Sequence, residues 1–169
     1  KNLHGFDPFL EHESQLGPGL KLWNKEFGQT DRFFDVVMLH HSFEHMADPE
    51  QVLKTCFERL NPGGVLLVRC PVSDAKVWKE KGPLWVQLDA PRHLTIPSTT
   101  GFVAVAQRCG FEIQEIVFDS TSFQFWGTAL YEQGEKLDIG KIRTYFSEKQ
   151  LAEWEQKAIQ YNQEAVGDQ

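Results

Sequence analysis

Residues 33–70 constrain the fold more than any other part of the chain. An apolar run at 33–40 (FFDVVMLH) leads to Asp48-Pro49, and Val52, Leu53, Cys56, Phe57 and Leu60 then recur at helical spacing. A second apolar run, VLLVRC, follows at 65–70. Near-continuous apolar runs of this length suit strands buried on both faces of a parallel sheet. Asp48 supplies an N-cap and Pro49 the first helical position. Asn61-Pro62-Gly63-Gly64 stops the helix. The glycine pair follows a helix instead of preceding one, so it reads as stop and turn and not as a phosphate cradle.

Around this unit the signals continue to alternate. Residues 2–6 form a short run ended by Asp7-Pro8, and residues 20–23 form another after the Gly17-Pro18-Gly19 turn. Residues 71–97 hold four prolines and two tryptophans without a period, the pattern of a functional loop such as a substrate-side insert. Ser98 or Thr99 can cap a helix with Phe102, Val103, Val105 and Ala106 on its apolar face, closed by Gly110. Residues 111–118 (FEIQEIVF) read as a strand, and residues 122–131 as a further one, joined by a tight turn. The mostly polar tail at 147–163 reads as a helix packed on the surface or on a partner, with Ser147 and Gln150 forming a capping box. The expectation is a single α/β domain over 1–169: an open, mostly parallel sheet with helices on both faces and an antiparallel strand near its C-terminal edge.

Composition excludes several roles. A formal net charge of −7 with no basic stripe argues against nucleic-acid binding. No apolar stretch approaches the roughly 18 residues a bilayer requires, and KNLHGFDPFL has no signal-peptide pattern. Cys56, Cys70 and Cys109 are widely spaced and odd in number, which fits free thiols in a reducing cytoplasm.

In open α/β sheets ligands bind beyond the carboxyl ends of the strands. That directs attention to Asp7, to His40-His41-Ser42-Phe43-Glu44-His45, and to the loop after Cys70. Asp7 is placed either to accept hydrogen bonds from a ribose or simply to shape an Asp-Pro turn. The histidine-rich segment offers acid–base groups, ligand-lining residues or metal donors. His41 and His45 have i,i+4 spacing, but Ser42 stands where zinc peptidases need Glu, so spacing alone disfavours a metal.

Asp35, Glu44-His45, Asp48-Pro49 and Leu60-Asn61-Pro62-Gly63-Gly64, in that order, resemble the fourth strand, following helix and fifth strand of class I, Rossmann-like S-adenosylmethionine-dependent methyltransferases. Gly5-Phe6-Asp7-Pro8-Phe9 resembles their second strand, and Pro91-Arg92-His93 with Cys109-Gly110-Phe111 resembles the later part of one subgroup. The resemblance runs over residues 3–134. The family's first strand and glycine-rich loop would precede Lys1, so the expectation is a partial domain lacking that strand, its open edge inviting association of copies.

The resemblance implies methyl transfer from S-adenosylmethionine to the oxygen or nitrogen of a small molecule. Asp7 would hold the ribose, Phe9 and Glu26 would lie near ribose or adenine, and His40 and His41 would line the cofactor cleft. Glu44, His45, Arg92 and His93 would face the acceptor, with His45 or His93 as base and Arg92 orienting the substrate. Some ubiquinone-pathway O-methyltransferases resemble this segment and carry Glu-x-x-Glu-His, proposed to hold a divalent ion. His41 replaces the first of those oxygen ligands here, and no metal is expected. A catalytically inactive, methyltransferase-like binding module is the alternative.

Overall fold

A computed structural model describes residues 2–169. The N-terminal strand β1 (Leu3–Phe6) pairs in parallel with β3 (Leu20–Trp23), and the two-residue strand β2 (Ser14–Gln15) adds antiparallel on the far side of β3. Gly17 and Gly19, at φ of +78° and +88°, make the turn that returns the chain from β2 to β3. The antiparallel strand therefore lies near the N-terminus, not at the C-terminal edge.

A second sheet holds β4 (Phe34–His40) and, after α1 (Pro49–Arg59), β5 (Leu60–Arg69), paired in parallel. Asp48 caps α1 by accepting the Gln51 backbone N–H at 3.0 Å, with Pro49 at the helix start. The helix stops at Arg59, and Leu60 already pairs with Phe34. Residues 61–64 then bulge out, so that Val65 is the next to align, opposite Val36. Asn61 Nδ2 donates to Asp35 Oδ1 at 2.8 Å across this bulge, and Gly63 takes a φ of +77°. A Cβ on Gly64 would meet the Asn61 carbonyl at 2.9 Å, so the glycine pair serves a bulge inside the strand and not the helix end.

The α/β class and the parallel pairing hold, but the strands form two small sheets in place of one open sheet. An aromatic seam joins them: the rings of His4, Phe6 and Phe27 lie 5.9, 6.0 and 5.7 Å from that of Phe34. The two-face burial expected of β4 also fails. Val37 and Leu39 pack under Leu53 and Cys56 of α1 and under Ala106 of α3 (Thr99–Arg108), whereas Val36 and Met38 are 55% and 60% exposed. Helices cover one face only.

Residues 71–97 are more regular than their prolines suggest, holding α2 (Lys76–Lys81) and the 3-10 turns Gly82–Leu84 and Val86–Leu88. Ser98 caps α3 through the Gly101 N–H. Residues 111–118 take no regular structure and join no ladder among the described residues. Residues expected to form the last strand are instead α4 (Phe123–Glu132), which packs with α5 (Ile142–Tyr145) and α6 (Glu148–Gln163) around Trp126, Leu130 and Phe146. The capping box of α6 is present: Gln150 N–H donates to Ser147 Oγ, and Ser147 N–H to Gln150 Oε1. This helix is no surface appendage, because Ala158 and Tyr161 are buried beside Phe125. The final residues reach the segment just after β5 and residue 119: Val72 N–H donates to the Asp168 carbonyl, and Asp119 N–H to that of Gln169.

Candidate active site

Beyond β4 the chain turns sharply at His41, a non-glycine residue at a φ of +48°, into the 3-10 turn Phe43–His45. Phe43 and Glu44 are buried by that turn, and His45 is left exposed. The Glu44 carbonyl accepts the backbone N–H groups of Leu94 and Thr95, which ties the turn to the Pro91-Arg92-His93 loop.

That tie brings His45 and His93 together, with ring centroids 4.9 Å apart and planes at 62°. His45 Nδ1 lies 2.9 Å from the Arg92 carbonyl, and His93 Nδ1 lies 2.6 Å from the Gln87 carbonyl. A carbonyl only accepts, so each Nδ1 carries a proton and Nε2 is the acceptor of the neutral ring; His93 Nε2 also lies 3.8 Å from Asp89 Oδ2. Arg92 does not reach into the cluster. Its guanidinium donates to Asp89, and the side chain is 71% exposed.

Glu44 is 1% exposed, and its two oxygens differ. Oε1 accepts from His41 Nδ1 at 3.3 Å, while Oε2 is buried without a hydrogen-bond partner among the described residues. His41 Nε2 in turn accepts from Arg69 Nη1 at 2.6 Å, and Arg69 Nε donates to both oxygens of Asp119, at 3.0 and 2.8 Å. Burial foremost, and then the Arg69 charge, hold His41 below the ordinary imidazole value; Glu44 opposes them. The relay Asp119–Arg69–His41–Glu44 thus keeps His41 neutral with its proton on Nδ1.

Arg69 and Asp119 were absent from the residues picked out in the sequence. The available signal was a lone arginine closing the apolar run VLLVRC, at the carboxyl end of a strand. His40, at 3.4 Å from Arg69 Nη1, joins the same group.

The expected cofactor residues do not converge. Asp7 Oδ1 accepts the Phe9 N–H at 2.8 Å, which is turn chemistry, and leaves one oxygen suited to a ribose. Phe9 is 92% exposed and stacks on no ring among the described residues. Glu26 is engaged in a capping box with Gln29. Phe6 packs at the entry to β4, against Phe34, whereas His40 ends that strand, about 20 Å further along. The described residues do not form a complete cradle for S-adenosylmethionine; of the expected site residues, Glu44, His45 and His93 are brought together. A surface groove lined by Asp74, Thr99, Ile116, Val117 and Asn162 shares no residue with that cluster. Cys56 and Cys70 are no nucleophiles, since burial pushes both thiols up to about 12. No helix among the described residues is long and apolar enough to cross a membrane.

A family model described as "Methyltransferase domain" matches residues 1–116. Among solved structures, the chain is similar to a SAM-dependent methyltransferase from Thermotoga maritima, titled a possible histamine N-methyltransferase, at 19% identity and a TM-score of 0.48. The likeness covers 56% of this chain and 47% of that one, so the chain spans about half the length of the relative. No curated protein matches the sequence.

Proposed function

The chain belongs to the methyltransferase-domain family, and from that premise we propose that it transfers a methyl group from S-adenosylmethionine to an oxygen or nitrogen of a small molecule. The observation that carries the acceptor side of this reading is the pairing of His45 with His93. Both rings have Nδ1 bonded to a backbone carbonyl, so in the neutral ring Nε2 is the nitrogen left to accept a proton.

A hydroxyl or amine acceptor must lose a proton as it is methylated, and a positioned imidazole is the group for that task. His45 is the better base of the two, because it is exposed while His93 is 7% exposed in its side chain. His93 orients it through the ring contact. Arg92, held by Asp89, stands at the rim, where its charge favours a polar or anionic acceptor.

The dispersal of Asp7, Phe9 and Glu26 supports a second reading, a catalytically inactive binding module. Calorimetry with S-adenosylhomocysteine separates the two. Saturable binding that weakens on Asp7→Ala supports the enzyme, and no binding supports the module. Three buried free cysteines support a cytoplasmic setting, and the exposed apolar side of β4 and β5 supports association of copies.

A further inference from the structure

Glu44, His45 and His93 each offer a donor atom within 4.8 Å of the others. We propose that these three side chains bind a zinc-like divalent ion. The inference rests on their geometry and not on the methyl-transfer reading.

Three independent features point the same way. Two imidazoles and one carboxylate are a donor set used by three-ligand zinc sites that keep a fourth position open. Each ring is held as a ligating histidine is held, its Nδ1–H on a backbone carbonyl, which fixes the tautomer and leaves Nε2 as the ligand atom; His93 Nε2 also lies 3.8 Å from Asp89 Oδ2. Glu44 Oε2 is buried without a partner among the described residues, and an ionised carboxylate oxygen in that state is costly to fold around. A cation satisfies it. The other buried carboxylate, Asp168, has both Trp85 and Ser120 as partners and needs none.

The set differs from the one the sequence pattern suggested. His41 has both ring nitrogens engaged, by Arg69 and by Glu44 Oε1, so it cannot ligate. Its place is taken by His93, which no local spacing connects to Glu44. Nitrogen donors favour zinc or a neighbouring transition ion over magnesium, which prefers oxygen. Because the ion needs both Nε2 lone pairs, loading converts the imidazoles from bases into ligands, so the base role of His45 belongs to the ion-free chain.

The test is zinc titrated into the chelator-stripped chain in competition with a chromophoric chelator, with magnesium as the control ion. One equivalent is expected to bind, with no competition from equimolar magnesium. His45→Ala and His93→Ala should each weaken binding by at least about 100-fold, the upper end of what loss of an outer partner costs. His12→Ala, a change at an exposed histidine outside the cluster, should leave binding unaltered. Cobalt should give the intense visible bands of a four-coordinate site, absent in His45→Ala. His45 is exposed, so its variant remains folded by circular dichroism and decides the matter if His93→Ala does not. Absence of stoichiometric binding, or binding indifferent to His45→Ala, overturns the site. S-adenosylhomocysteine binding is read separately, so either proposal can fail alone.

Discussion

His41 Nε2 sits 2.6 Å from Arg69 Nη1, so a cation one strand away fixes which nitrogen of this histidine carries its proton. The pairing also sets how His41 titrates. Its depressed pKa means that the unfolded chain takes up a proton more readily than the folded one. His41 therefore favours folding fully above the ordinary imidazole value of about 6.5, and that contribution falls as pH drops through its lowered folded value. Arg69→Met removes the second-largest cause of the shift. The His41 midpoint, followed by NMR of the imidazole protons, should rise towards 6.5 but stay below it, because burial remains.

Asp168 behaves in the opposite sense. Burial raises its carboxyl from 3.8 to about 6, against the opposing bonds from Trp85 and Ser120. The folded chain then holds a proton that the unfolded chain has released. Stability from this group is complete below pH 3.8 and is lost as pH rises through about 6. The loss is up to about 3 kcal/mol. Asp168→Asn keeps an acceptor for Trp85 and cannot ionise. Its melting temperature should exceed that of the parent at pH 8 and converge with it near pH 4.

The base assignment predicts a divided outcome. His45→Ala should lower kcat for methyl transfer by about 10²–10⁴-fold and remove the acidic limb of the pH–rate profile. Arg92→Ala should raise KM for an anionic acceptor with little effect on kcat. Transfer of labelled methyl groups to a panel of phenols and amines measures both. Equal turnover of His45→Ala and the parent would sink the assignment.

One-sided burial of β4 has its own signature in stability. Leu53 is fully buried against Val37 and Cys56, and Leu53→Ala should cost about 2–5 kcal/mol in urea unfolding. Met38, 60% exposed on the opposite face, should lose no more than about 0.5 kcal/mol on replacement by Ala.

What the sequence made legible was local. Asp48-Pro49, Ser98 and Ser147-x-x-Gln150 marked three helix starts correctly, because capping is settled within a few residues. Residues 123–132 were misread as strand for the reason that makes them helical. This helix is buried on several sides, Gln124 through Thr128 without a break, so no 3.6-residue alternation of polar and apolar survives. In residues 111–118 the alternation runs only through Phe111–Gln114, and the backbone joins no ladder among the described residues. At the site, Glu44, His45 and His93 were each visible as chemistry. Their convergence was not, since it depends on two backbone hydrogen bonds from Leu94 and Thr95 to the Glu44 carbonyl.

The fastening at residues 168–169 has a consequence for the order of events in folding. The β4–α1–β5 unit closes through neighbours in sequence, whereas the Trp85–Asp168 bond spans 83 residues. Contacts of such separation are slow to form, because chain entropy is lost before they repay it. The β4–α1–β5 unit is then expected to form first, and the two residues at the far end of the described chain to lock on last.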